Sequence, residues 1–204
     1  MDKKVATFGE IMLRLTPPDY ERIAQTRSFK VYYGGAESNV AATLAQLGLD
    51  SYFVTKLPLN EAGKAALSYL RAFGINLEYI IFGGDRLGIY YCEDGASQRG
   101  SNIIYDRSNS SIALADISDF DWDKIFNDVS LFHYTGITAG LSENVRQILF
   151  EALKKAKDKN IIVSCDLNYR AKLWSKEQAN KTMTEMMKFT DILIANEEDA
   201  ENVF

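Results

Sequence analysis

Gly34-Gly35-Ala36-Glu37-Ser38-Asn39-Val40-Ala41 runs into Ala42 through Leu47 and closes on Gly48. A pair of glycines lets the backbone approach a ligand or another segment with no Cβ in the way. Val40, Leu44 and Leu47 then fall on one stripe of a helix, with small alanines between them. A glycine turn that feeds a helix start presents free N–H groups to a polar or anionic ligand. The same pattern also fits a tight loop whose helix is capped by Ser38 or Asn39.

Around this stretch, short β-rich runs alternate with helical patterns. Core strands are expected at Val5 to Phe8, Ser51 to Thr55, Tyr79 to Ile81, Leu131 to Tyr134, Ile161 to Asp166 and Asp191 to Ala195. Helices are expected at Ser38 to Leu47, Glu61 to Phe73, Glu143 to Lys157 and Lys176 to Lys188. In the third of these, Val145, Ile148, Leu149, Ala152 and Leu153 trace a 3.6-residue stripe. Strand, helix, strand in succession predicts right-handed crossovers and an α/β fold with a mainly parallel central sheet between two helical layers. The charge-poor Ile161-Ile162-Val163 suits a sheet covered on both faces.

Four further runs break that rhythm: Ile11 to Thr16, Arg27 to Tyr33, Gly88 to Glu93 and Ser101 to Arg107. No helix separates the last two, so Asp94 to Gly100 should join them as a hairpin. These further strands span about 11–33 and 87–107 and lie outside the rhythm of the parallel sheet. No repeat or low-complexity linker interrupts the 204 residues and prolines number three, which predicts no domain boundary.

Composition narrows the function classes. With 47% hydrophobic residues the chain can bury a sizeable core. The net charge of −5, with no basic stripe, argues against nucleic acid. The run Lys154 to Lys159 sits at a helix end, where cations suit the dipole. Cys92 and Cys165 lack metal spacing and read as buried free thiols. The lone His133 lies in a strand pattern without convergent partners, a structural histidine. Met1-Asp2-Lys3-Lys4 leads straight into a strand with no apolar run for a signal peptide or membrane span, so a cytoplasmic location is expected.

Chemistry concentrates in a few side chains. Asn39 offers two donors and an acceptor, suited to vicinal hydroxyls, or it serves the local backbone of a helix start. Tyr105 and Arg107 are two apart and share a strand face, and a guanidinium can grip a carboxylate through two hydrogen bonds. Asp166, Asn168 and Arg170 alternate at the end of a strand and should point one way, beyond the carboxyl edge where open α/β sheets bind ligands. Asp166 could hold Arg170 by a salt bridge. Glu37 would repel an anionic ligand, so it is expected to point away or to cap the helix.

The opening stretch, read with Asp166-Leu167-Asn168-Tyr169-Arg170 and Leu173-Trp174, resembles the ribokinase-like (pfkB) carbohydrate kinases. Within them it is most similar to the 2-keto-3-deoxygluconate kinases (2-dehydro-3-deoxygluconokinases). Gly34, Gly35, Asn39, Ala41 and Gly48 match the family's first signature. Leu57 to Gly63, Arg107 to Ala113 and Gly136-Ile137-Thr138 look like the sugar-acid subfamily, and the resemblance covers the whole chain.

That resemblance implies a ribokinase-like α/β/α fold with a small β-lid over the sugar, which often also joins two chains into a homo-oligomer. It implies ATP-dependent phosphorylation of the terminal hydroxyl of a keto-deoxy sugar acid, with ATP and Mg2+ as cofactors. By resemblance, Gly35, Asn39, Tyr90, Tyr105, Arg107 and Arg170 bind substrate, while Asn168 and Asn196 lie on the nucleotide side. Asn196-Glu197-Glu198-Asp199 looks like a motif that tunes magnesium and phosphate through water, with Asp199 one methylene shorter than the family's glutamate. The alternative reading of these acids is the plain first turn of a helix. The second signature, a Gly-Ala-Gly-Asp run carrying the catalytic base, occurs nowhere in the chain, and the resemblance puts that base beyond Phe204. The 204 residues are therefore expected to be the substrate-binding part of a longer kinase and inactive alone. A fructokinase- or ribokinase-type enzyme, with less use for Arg107, and a non-catalytic sugar-acid-binding module remain the alternatives.

Overall fold

The computed structural model describes residues 4–204. The expectation of no leader segment, which rested on Met1 to Lys4, falls mostly outside the described residues. In chain order the elements are β1 (Lys4–Phe8), β2 (Met12–Thr16), β3 (Lys30–Gly34), α1 (Ala36–Gln46), β4 (Asp50–Leu57), α2 (Glu61–Ala72) and β5 (Ile80–Phe82). They continue as β6 (Ile89–Glu93), β7 (Asn102–Asp106), α3 (Trp122–Ile125), β8 (Val129–Thr135), α4 (Gly136–Gly140), α5 (Glu143–Asp158), β9 (Ile162–Asp166), α6 (Lys176–Met187), β10 (Ile192–Ile194) and α7 (Glu197–Val203).

Six strands form one sheet in the order β10-β9-β8-β1-β4-β5, every neighbouring pair parallel. Chain order runs outward in both directions from the β8–β1 pair, so a topological switch point lies there, and ligand crevices open outside the strand carboxyl ends at such points. The other four strands form a separate sheet, β3-β2-β6-β7. In it β6 and β7 make the expected hairpin, with Tyr90 opposite Tyr105.

Alternation along each central strand sends side chains to two cores. Ala6, Phe8, Val54, Phe132, Tyr134, Val163 and Cys165 join Val145, Ile148, Leu149, Ala152 and Leu153 of α5 and Ala179, Met183 and Met186 of α6. On the opposite face Phe53 and Leu57 pack with Ala41 of α1 and Ala66 and Leu70 of α2. The predicted stripe on α5 is therefore the buried one.

Two of the quoted motifs prove to be helix starts. Asn60 caps α2, its side-chain oxygen accepting from the N–H groups of Ala62 (3.0 Å) and Gly63 (3.2 Å). A Cβ on Gly63 would fall 2.0 Å from the Pro58 carbonyl oxygen, so the turn requires glycine. Gly136-Ile137-Thr138 opens α4, capped by Thr135.

The expectation of a sheet covered on both faces holds only in part. On the side of α1 and α2, an apolar groove lined by Val5, Val40, Leu44, Leu131, Ile162 and Ile194 stays open. Ile162 is 47% and Ile194 52% exposed. Helices α5 and α6 cover the other face of β8 to β10; on this one α1 reaches β8, where His133 is buried, and among the described residues nothing lies over Ile162 and Ile194 of β9 and β10.

Both cysteines are free and buried, as expected, and burial pushes the Cys165 thiol up to about 12. The basic run ends α5 as a solvated helix end, with Lys155 pairing with Asp123 at 2.6 Å. No helix among the described residues is long and apolar enough to cross a membrane.

His133 is buried in β8, its Nδ1 3.1 Å from Ser164 Oγ, which fits the structural reading. Burial lowers its pKa from 6.5 to about 4. The fold thus holds the neutral imidazole. Its contribution is complete above the unfolded pKa near 6.5 and is lost as pH falls toward 4, at about 1.4 kcal/mol per pH unit. Urea-unfolding free energies of the wild type should therefore fall more steeply between those pH values than those of His133→Asn. Parallel curves for the two proteins would show that His133 does not titrate on unfolding.

Candidate active site

The carboxyl ends of β1, β8 and β9, the start of α1 and one face of the small sheet enclose a cavity of about 260 Å³. That is somewhat below the roughly 300–1,000 Å³ of drug-sized ligand pockets and suits a small metabolite. Glu10 comes from beyond β1, Gly34 to Glu37 and Asn39 from the α1 start, and Ile137 from beyond β8. Asn168 and Arg170 follow β9, while Tyr90, Ile103, Tyr105 and Arg107 come from β6, β7 and the residue after it. Of the eight site residues expected from the sequence, seven thus meet in one cavity.

The α1 start has the exposed-amide geometry rather than the capped one. Gly35 occupies the cap position in an extended conformation and no side chain caps the helix. Ser38 Oγ instead donates back to the Gly35 carbonyl at 3.0 Å. A Cβ on Gly35 would stand 2.0 Å from the Glu10 carbonyl oxygen, and one on Gly34 would stand 3.0 Å from the Tyr90 hydroxyl. Absent side chains at 34 and 35 therefore bring the helix start, the β1 exit and the lid together. Asn39 follows one turn on, with an exposed side chain on the cavity rim.

Glu37 neither points away nor caps. It is 1% exposed, and its Oε1 accepts from Thr135 Oγ1 and Thr138 Oγ1, each at 2.6 Å. Burial raises its pKa, opposed by those two hydroxyls. The expectation from repulsion fails because hydroxyl donors at the end of β8 satisfy the carboxyl inside the fold.

Tyr90 and Tyr105 stand opposite each other with ring centroids 6.0 Å apart. Tyr105 and Arg107 share a face as predicted, the guanidinium carbon lying 5.6 Å from the Tyr105 ring centroid. Arg107 is not free, however. Its Nε donates to Glu10 Oε2 at 2.8 Å and its Nη2 donates to the same oxygen. The two side chains are 10% and 3% exposed. Glu10 escaped the sequence reading, although a carboxylate two residues past a buried strand, at the sheet's carboxyl edge, was the available signal.

On the opposite wall β9 ends at Asp166, yet the alternation persists in burial: Leu167 and Tyr169 are buried and Arg170 is exposed. Asn168 has φ +37°, an uncommon conformation for a side-chain-bearing residue and one often found at functional sites. Arg170 Nη1 donates to the Tyr169 carbonyl at 3.1 Å. The anticipated Asp166–Arg170 salt bridge does not form; burial raises the Asp166 pKa. Among the described residues Arg170 has no carboxylate partner, and it also lines a larger adjoining cavity of about 910 Å³ with Arg107, Lys172 and Tyr105.

Asn196 stands apart from this cavity. It caps α7, its side-chain oxygen accepting from Asp199 N at 2.6 Å, while Asp199 Oδ1 accepts from Tyr169 N at 3.1 Å. These contacts tether the α7 start to the loop after β9. At the other end of α7, Phe204 donates its N–H to the Ala200 carbonyl at 2.8 Å and leaves its ring 56% exposed. Phe204 is not among the residues lining the cavity. No group of three or more His, Cys, Asp or Glu able to hold a metal occurs among the described residues. Magnesium is commonly held by one or two carboxylates plus substrate phosphates, and the described residues give it no defined place.

A parallel sheet with its cavity at the switch point, closed by a small mixed sheet bearing tyrosines and arginine, offers a place for a small polar molecule. Residues 2–204 match the family description "pfkB family carbohydrate kinase", and the chain belongs to that family. The 2-dehydro-3-deoxygalactonokinase of Haloferax volcanii is 38% identical over 200 residues, covering 98% of this chain and 62% of that protein. The crystal structure of 2-dehydro-3-deoxygluconokinase from Thermotoga maritima is 59% identical with a TM-score of 0.97, again covering 98% of this chain and 62% of the other. A pfkB family carbohydrate kinase from Listeria grayi is 34% identical with a TM-score of 0.96, and covers 99% and 63%. The chain thus spans about three fifths of the length of these relatives.

The glycine contacts predict a defined cost. Gly35→Ala should destabilise the protein by about 1–3 kcal/mol, because the methyl meets backbone that cannot turn aside. For a domain of this size each kcal/mol lowers Tm by about 2–4 °C. A calorimetric scan that leaves Tm unchanged would mean that the Glu10 turn yields without strain.

Proposed function

We propose that the protein is an ATP-dependent kinase acting on the terminal hydroxyl of 2-keto-3-deoxygluconate or a closely similar sugar acid, and that this chain carries the substrate-binding part. One observation supports the substrate class above others: two arginines, Arg107 and Arg170, line the cavity, while its two carboxyls, Glu10 and Glu37, are buried and already hydrogen-bonded within the fold. Arg170, with no carboxylate partner, is the group with charge to spare for an acid. Arg107 has Nη1 outside the hydrogen bonds it makes to Glu10 and can add a directed donor.

Phosphoryl transfer asks of this part of the protein that it position the acceptor hydroxyl and exclude water. In this reading Tyr90 and Tyr105 close over the ligand from the lid, and the uncapped amides of α1 and the Asn39 side chain hold its oxygens. ATP supplies the phosphoryl group. The general base is proposed to come from beyond Phe204, in the part of the relatives' length that these residues do not span. The names of the Haloferax and Thermotoga relatives support the sugar-acid assignment. A Glu10 carboxylate that already balances Arg107 supports a second reading, a neutral-sugar kinase of the fructokinase or ribokinase type. The outer face of the lid, where Val31 and Ile104 are exposed, is proposed to pair with a second copy of the chain.

Arg170 gives a cleaner test than Arg107, because removing Arg107 also strands a buried carboxylate at about 3–5 kcal/mol. In the intact gene product, Arg170→Ala should raise KM for the sugar acid by about tenfold to a hundredfold, the effect of losing a charge-assisted hydrogen bond. Activity on fructose or ribose, measured in the same coupled assay, should be low in the wild type and change far less. Equal losses on acid and neutral sugars would set the sugar-acid reading aside.

A further inference from the structure

We infer that Glu10 is a ligand-binding residue, accepting a hydroxyl of the bound sugar through Oε1 while Oε2 holds Arg107. The inference rests on the sugar-binding reading of the cavity, though not on whether the sugar is an acid. Three observations carry it. Glu10 lines the cavity although it is 4% exposed. Both N–H donors it receives from Arg107 go to Oε2. Oε1 is buried with no hydrogen-bond partner at all.

A buried carboxylate oxygen left unsatisfied is costly, and few native groups stay so. An occupied cavity would supply the missing donor. The terminal torsion of a glutamate is broad and soft, so the carboxyl can turn about its Cγ–Cδ bond to bring Oε1 toward the cavity that Glu10 lines. A carboxylate only accepts; its partner must be a donor, and a sugar hydroxyl is one. The backbone around it is kept bare, since a Cβ on Gly88 would lie 2.7 Å from Oε1 and one on Gly35 would meet the Glu10 carbonyl.

The arrangement also divides labour between the two arginines. Arg107, balanced by Glu10, works with it as a neutral donor–acceptor pair suited to hydroxyls. Arg170 is then the cavity's guanidinium with no carboxylate partner among the described residues.

The test is a cycle between residue 10 and the ligand's hydroxyl groups. In the intact protein, dissociation constants for 2-keto-3-deoxygluconate and its mono-deoxy analogues are measured by calorimetry for wild type, Glu10→Gln and Glu10→Ala. One analogue should bind the wild type about tenfold to a hundredfold more weakly than the parent, the size of a lost hydrogen bond to a charged group. That penalty should shrink in Glu10→Gln, which keeps an oxygen for Arg107 and guards against a folding defect. In Glu10→Ala it should vanish. The same loss across all analogues, with every penalty unchanged, would overturn the assignment and leave Glu10 as a structural partner of Arg107 only. If the wild type binds a neutral sugar instead, the sugar-acid reading fails alone, and the mono-deoxy forms of that sugar decide the role of Glu10. Binding of neither class overturns both.

Discussion

The buried carboxyl of Glu37 ties three parts of the molecule at one point. Its Oε1 takes the hydroxyls of Thr135, the last residue of β8, and Thr138 in α4. Its own carbonyl accepts from Thr7 Oγ1 in β1 at 3.1 Å. The start of α1 is thereby fixed to both strands that flank the switch point. A Cβ on Gly9 would lie 2.2 Å from Glu37 Oε2, so the chain leaving β1 must also be bare here. Everything on the cavity wall is placed relative to that knot: the exposed amides of α1, the Glu10 turn and, through Glu10, the guanidinium of Arg107. A buried acid costs stability unless it is satisfied, and here its donors come from the elements it must align.

Charge joins the lid to this framework beside the chain connections at β1–β2 and β3–α1 and the packing of Leu13 and Tyr33 on the core under α2. Arg107 on the lid meets Glu10 on the body, both almost fully buried. Lys172 after β9 donates to the Ile103 carbonyl on β7 at 3.0 Å. Replacing a buried pair by apolar groups is often neutral for stability, so stability alone does not call for charges in this place. A polar seam does suit the edge of a cavity lined by charged and hydrogen-bonding side chains.

Much of this was legible in the sequence because it depends on periodicity. Central strands, four main helices and the hairpin carry two- or 3.6-residue patterns that survive in any context. Seven of the expected site residues converge because glycine pairs and strand ends fix where a parallel sheet can bind anything. What escaped depends on distance in space. Glu10 and Arg107 are far apart in sequence, and no local pattern says that one guanidinium is already taken. Glu37 was misread because its donors lie in Thr135 and Thr138, across the sheet. The open face of β9 and β10 could not be seen either, since apolar strands read alike whether or not a helix covers them.

That open face continues into an edge. Among the described residues strand β10 pairs only with β9, and Ile192, Leu193 and Ile194 are all exposed. Unpaired backbone beside bare aliphatic side chains is a template for intermolecular strand addition, and a net charge of −5 on 204 residues opposes such contact only weakly. Wherever this surface is left bare, during synthesis on the ribosome or in a shortened recombinant product, colloidal behaviour will be governed by β10 rather than by the cavity. Solubility and ligand recognition are thus set by different borders of one sheet, and a charged residue at position 193 would act on the first without reaching the second.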